Sequence, residues 1–128
     1  MTKIKFCGLT RDEDICAANR LNPDFAGLVF AEKSRRYVSP ERAREIREKL
    51  DRRIKTAGVF VNADISFIVE LLRDGVIDIA QLHGGEDDAY IRKLKKVIDR
   101  PVIKAFRIDN ETDILRAGAS AADMVLLD

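Results

Sequence analysis

A thiol, an amide, an imidazole and a carboxylate stand where this sequence predicts strands to end. Lys3-Ile4-Lys5-Phe6-Cys7-Gly8-Leu9-Thr10 reads as a short strand that turns at once into a helix. Period-2 alternation sets Lys3, Lys5 and Cys7 on one face, with Ile4 and Phe6 on the other. Gly8 permits a tight turn, and Thr10 with Glu13 matches the capping-box pattern. A cysteine at such a junction lies beside the positive end of a helix, a setting that favours thiolate. The plain alternative is a small buried residue, because free cysteine is among the most buried types. Gln81 and His83 share a face at the end of a later apolar segment, and Asp128 follows Leu126-Leu127. Each of these side chains donates or accepts protons or hydrogen bonds.

The elements that must position them alternate along the whole chain. After the first strand, Arg11 to Leu21 reads as a helix closed by Asn22-Pro23. Phe25 to Phe30 is a continuous apolar run, as in a strand buried on both faces. A basic loop follows, and Ser39-Pro40-Glu41 opens a helix with a cap, a proline at its first position and an acid in its first turn. That helix carries Ala43, Ile46 and Leu50 at helical spacing. Thr56 to Val61 is the third strand, and Asp64 caps a helix through Ile68, Leu71 and Leu72 to Gly75. Ile77 to Leu82 is the fourth strand, leading into His83-Gly84-Gly85. A helix from Asp87 to Val97, a strand from Pro101 to Phe106, a short helix capped by Asn110 and a sixth strand from Asp123 to Asp128 complete the order.

Repeated strand-helix units with short connections imply a parallel sheet with right-handed crossovers. Two architectures fit, a doubly wound open sheet and part of a (βα)8 barrel. Polar groups at the C-terminal ends of several strands are what a barrel active site requires, although open α/β sheets also bind ligands there. Lys5 and Lys104 interrupt otherwise apolar strands. They fit either a barrel interior that pairs them with carboxylates or a solvent-facing position.

Bulk properties narrow the function. The 128 residues, 46% hydrophobic and 35% charged, fit one globular domain. A balance of 23 basic against 22 acidic residues argues against nucleic acid or a membrane surface as partner. The longest apolar runs fall short of a bilayer span, and no signal peptide is recognised before Lys3, so a reducing cytoplasm is expected. Two cysteines make no disulfide framework, and Cys16, among Ile15, Ala17 and Ala18, is expected in a helix core.

Five segments, Lys5-Phe6-Cys7-Gly8-Leu9-Thr10, Ser34-Arg35-Arg36-Tyr37-Val38-Ser39-Pro40, Gly58-Val59-Phe60-Val61-Asn62, Gln81-Leu82-His83-Gly84 and Leu126-Leu127-Asp128, resemble phosphoribosylanthranilate isomerase in order and spacing. The resemblance implies an α/β fold, a truncated TIM barrel of the form (βα)1-5β6, occupying residues 1–128 as a single incomplete domain. It implies an aldose-ketose isomerase of tryptophan biosynthesis. Such an enzyme converts N-(5-phosphoribosyl)anthranilate to the 1-deoxyribulose 5-phosphate with no metal and no organic cofactor. On the same resemblance Cys7 is the general base at the sugar C2 and Asp128 the general acid at the ring oxygen. Arg36 pairs with the anthranilate carboxylate, and Gln81 and His83 line the pocket.

Proton-transfer chemistry suits these types. A thiol must be partly ionised to serve as base, which a helix N-terminus and Lys5 promote; a carboxylic acid must hold its proton, which burial or a nearby negative charge provides. Arginine offers a planar fork that matches a carboxylate. The family's barrel has eight strands, and its phosphate is held after the seventh and eighth. The chain is therefore expected to be an N-terminal piece, weak or inactive alone, with uncovered edge strands that favour self-association. The competing expectation is a catalytically silent structural fragment folding as an open α/β sheet. A phosphoacceptor module of the flavodoxin-like type is disfavoured, because Cys7-Gly8-Leu9 stands where its acidic cluster belongs.

Overall fold

A computed structural model describes residues 2–128. Six strands alternate with five helices: β1 (Lys5–Cys7), α1 (Asp12–Leu21), β2 (Phe25–Val29), α2 (Pro40–Lys49), β3 (Lys55–Phe60), α3 (Ile65–Arg73), β4 (Ile79–Leu82), α4 (Asp88–Val97), β5 (Val102–Phe106), α5 (Glu111–Gly118) and β6 (Met124–Leu127). Every strand pairs in parallel with the next, in the order β1-β2-β3-β4-β5-β6. This sequential order excludes a doubly wound sheet, whose strand order reverses at a switch point. Right-handed crossovers between successive neighbours place all the helices on one side.

The sheet is not flat. In a flat sheet β1 and β4 lie three strand spacings apart, about 14 Å. Yet Lys5 Nζ donates a hydrogen bond to Gln81 Oε1 from one strand to the other. The sheet therefore curls into a half-barrel with Lys5 and Gln81 on its concave face, and the open-sheet expectation is corrected. Register carries Cys7, Gly27, Val29, Ala57, Val59, Ile79, Ile103 and Ala105 to the same face. The opposite parity, with Ala26, Leu28, Phe60, Ala80, Leu82 and Val102, forms the core against the helices. At its centre Phe60 stacks on Phe30 at 5.3 Å, and Phe67 meets both rings edge-on.

Local signals set the helix ends. Ser39 Oγ accepts from Arg42 N at 3.1 Å, with Pro40 at the first helical position. Asp87 and Asn110 cap α4 and α5 in the same way. Two expected caps are corrected. At α1 the reciprocal carboxylate is Asp14, not Glu13: its Oδ2 accepts from Thr10 N at 3.0 Å and Arg11 N at 2.9 Å, because the helix starts one residue later than Thr10-Glu13 implied. At α3 Asp64 holds the cap position without a side-chain cap bond. Cys16 is exposed rather than buried. Ile15 and Ala18 occupy the inward stripe of α1, and position 16 falls on its outer side.

Phe60→Ala should lower unfolding free energy by about 3–5 kcal/mol in urea titration. Leu127→Ala, at a side chain left 57% exposed, should change it by no more than about 0.5 kcal/mol. Tyr90 supplies a pH test. Its hydroxyl donates to Ala63 O at 2.6 Å, and partial burial, with the charges of Glu86 and Asp64, pushes the phenol up to about 12. The folded value exceeds the roughly pH 10 of a free tyrosine. Its stabilising contribution is therefore complete below about pH 10 and lost as pH rises towards 12. Tyr90→Phe should flatten that alkaline loss in denaturation curves.

Candidate active site

The concave face ends in a rim of turns, and glycines set its first geometry. Cys7 lies opposite Gly27 of β2. A Cβ on Gly27 would lie 3.0 Å from Cys7 Sγ and 3.1 Å from its Cα, so glycine makes room for the thiol. Gly27 O also accepts from Gly8 N and Leu9 N at 3.0 and 3.1 Å, fastening the turn after Cys7 to β2. Gly8 takes φ +82°, where side chains are strained, and a Cβ there would lie 2.3 Å from Arg36 Cδ. Arg36 thus lies across the bare turn, and its Nη1 donates to Cys7 O at 3.1 Å. Its loop is built from tight turns, with Ser34 Oγ accepting from Arg36 N at 3.1 Å and Val38 N donating to Val29 O at 2.9 Å. Cys7 is exposed, which sets aside the buried-cysteine alternative.

Across the concavity a second group assembles. Gln81, only 2% exposed, accepts from Lys5 Nζ through Oε1 and sets Nε2 3.4 Å from His83 Nδ1. His83 Nε2 lies 3.5 Å from Asp128 Oδ2. Asp128 occupies the last position, yet its backbone is held on both sides: its N–H donates to Phe106 O at 2.8 Å, and its carbonyl accepts from Ile108 N at 3.0 Å. Burial lowers the Lys5 pKa, and the negative charge available at Cys7 opposes that shift.

The loop carrying His83 rests on a third group, of which sequence reasoning singled out Lys104 but missed Glu86 and Asn62. Glu86, 6% exposed, accepts from Asn62 N and from Gly84 N, both at 2.8 Å. Lys104 Nζ lies 3.4 Å from Glu86 Oε1 and donates to Gly84 O at 2.7 Å and Ala105 O at 3.1 Å. Asn62, at φ 52°, accepts from Gly85 N at 2.9 Å. Lys104 pairs with Leu82 in the ladder, so it belongs to the layer between sheet and helices and not to the barrel interior. The available signal was a lone lysine inside one apolar strand together with a carboxylate just after the preceding one. The structure thus brings Cys7 together with Arg36, and Gln81 with His83 and Asp128, while Lys5 spans the two groups. Among the described residues no cluster of three or more histidine, cysteine or acidic side chains is arranged to hold a metal ion.

Comparison with known proteins gives the same picture along the whole chain. The family model described as N-(5'-phosphoribosyl)anthranilate (PRA) isomerase matches residues 4–128. N-(5'-phosphoribosyl)anthranilate isomerase of Endomicrobium trichonymphae is 46% identical over all 128 residues, which cover 62% of that protein. The Clostridium kluyveri enzyme of the same name is 38% identical over the same span, again 62% of its length. The crystal structure of phosphoribosyl anthranilate isomerase from Thermotoga maritima superposes with a TM-score of 0.88 at 34% identity, covering all of this chain and 62% of that one. A phosphoribosyl anthranilate isomerase in complex with reduced 1-(o-carboxyphenylamino)-1-deoxyribulose 5-phosphate superposes at 0.89, with 37% identity and 65% of that chain covered. The chain spans about three-fifths of the length of the curated relatives it matches.

Removing one partner of the buried Lys104–Glu86 pair strands the other charge. Lys104→Met should therefore cost about 3–5 kcal/mol of stability in chemical denaturation. Adding Glu86→Gln to Lys104→Met should recover part of the loss, because it removes the stranded charge.

Proposed function

This chain belongs to the N-(5'-phosphoribosyl)anthranilate isomerase family, and from that premise we propose that its concave rim carries the acid, the base and the aryl-carboxylate clamp for isomerising N-(5'-phosphoribosyl)anthranilate. The observation that carries the reading is the docking of Arg36 on the Cys7 carbonyl at 3.1 Å, beside a thiol that Gly27 leaves unobstructed. A guanidinium so held presents its other N–H groups to a carboxylate as a planar fork. A substrate anchored there by its anthranilate carboxylate lays its sugar over the concave face, between Cys7 and Asp128.

The reaction is a sequence of proton transfers that side chains can drive. Asp128 donates a proton to the furanose ring oxygen as the C1–O bond breaks, and the bond electrons leave on that oxygen. The nitrogen lone pair forms the C1=N bond, which acidifies the proton on C2. The Cys7 thiolate removes that proton, and the released pair makes the C1=C2 bond of an enol-amine while the C1=N π pair returns to nitrogen. A proton gained at C1 and one lost from the C2 hydroxyl then give the ketone. Cys7 ends protonated and Asp128 ionised, and proton exchange with water resets both. Gln81 and His83 support the acid from the wall of the same face.

Turnover of N-(5'-phosphoribosyl)anthranilate tests this reading, using the chain alone and mixed with the C-terminal two-fifths of the Endomicrobium relative. Cys7→Ala and Asp128→Asn should each lower kcat by roughly 10²–10⁴-fold. Arg36→Met should raise KM roughly tenfold or more, the loss of a charged hydrogen-bonding pair. Turnover indifferent to these substitutions would remove the residues from the roles proposed, and none in any mixture would leave the chain as a silent scaffold.

A further inference from the structure

Lys5, Gln81, His83 and Asp128 form a single line of polar contacts across the concave face, and only one end of it has a fixed hydrogen-bonding direction. The lysine amine is a donor, and it faces the Gln81 oxygen. An amide whose oxygen is engaged this way must turn its NH₂ outward, and Gln81 Nε2 indeed faces His83 Nδ1 at 3.4 Å. A ring nitrogen that meets an N–H donor must itself be the acceptor. In a neutral imidazole the proton then resides on the other nitrogen. That nitrogen, Nε2, lies 3.5 Å from Asp128 Oδ2.

We infer that Lys5 and Gln81 are positioning residues that lock His83 in its neutral Nε2–H form, so that this N–H is turned toward one oxygen of Asp128, 3.5 Å away, and the other oxygen is left free for the proton it delivers. The purpose of the device rests on the isomerase reading above, but the device itself does not. The reverse tautomer would set Nδ1–H against the Gln81 NH₂, donor against donor, in a site where Gln81 is only 2% exposed and cannot turn to water. Lys5 reaches Gln81 only because the sheet curls, so the closure of the half-barrel and the proton position on His83 are coupled. A Lys5 side chain that merely filled space would impose no direction on the imidazole.

His83 is the sole histidine of the chain, so its ring nitrogens are read without ambiguity by ¹⁵N NMR at a pH where the imidazole is neutral. The expected result is an unprotonated Nδ1 and a protonated Nε2. Gln81→Glu replaces the donor facing Nδ1 with an acceptor, and the Nδ1 signal should move to the protonated position. Lys5→Met, at a half-buried site that tolerates an apolar chain, frees the amide and should raise the share of Nδ1–H. Asp128→Asn should leave the tautomer unchanged, because the direction is imposed from the Lys5 end. A protonated Nδ1 in the unmodified chain would overturn the inference. So would no change of tautomer in a folded Gln81→Glu or Lys5→Met chain, or a tautomer that flips in Asp128→Asn. No step of the test needs turnover, so its failure is distinct from failure of the isomerase reading.

Discussion

Lys5 rises from the first strand and meets Gln81 from the fourth, and the two reach one another only because the sheet between them curls. The meeting of the two sides of the site follows from that curvature. Parallel strands in sequential order deliver their C-terminal ends to one rim. Curling then turns that rim from a straight edge into an arc whose residues face each other. Cys7 and Asp128 come from the two outermost strands, which in a flat sheet would be the most distant pair. Gly27 serves the same end from within the sheet, since a side chain there would press on the Cys7 sulfur.

Two polar systems flank the sheet, and their environments differ in a way that separates their tasks. Lys104 and Glu86 lie on the helix side, almost fully shielded, with every hydrogen-bonding or ion-pair partner a backbone group or each other. Their geometry ties the end of β3, the loop after β4 and the end of β5 into one unit. The concave-side system is half-open, ends on the exposed carboxylate of Asp128, and faces the space a ligand would enter. The first system fixes the backbone that carries His83. The second governs the direction in which His83 points its proton.

Much of this was legible in the sequence because it depends on short-range pattern. Strand-helix alternation, the Ser39-Pro40 helix start, the turn at Gly8 and the shared face of Gln81 and His83 follow from periods of two and 3.6 and from local steric rules. What escaped depends on register and curvature, which no local window contains. The parity of Lys104 is known only once Gln81 is seen opposite Ile103 and Leu82 opposite Lys104. Glu86 reads as one more surface carboxylate until three elements converge on it. Cys16 looked apolar by its neighbours, yet the inward stripe of α1 passes through Ile15 and Ala18 and leaves it outside. Periodicity alone left barrel and open sheet both standing, and only the family resemblance implied the barrel, because the deciding contact lies between residues 76 apart in the chain.

The amide between Lys5 and His83 has an electrostatic logic of its own. An ammonium group placed directly against a catalytic carboxyl would favour its ionised form and strip the proton a general acid must deliver. A neutral glutamine passes on the direction of a hydrogen bond without passing on the charge, so in the inferred arrangement His83 is oriented by Lys5 yet faces Asp128 as a neutral N–H. On the other side of the arc the opposite requirement holds. The base role proposed for Cys7 calls for stabilisation of negative charge, and Lys5 lies on its own strand and face, two residues away, with Arg36 docked on its carbonyl. In the proposed reaction one lysine thus serves a base that benefits from its charge and an acid that must be kept from it, and the length of one amide side chain is what separates the two.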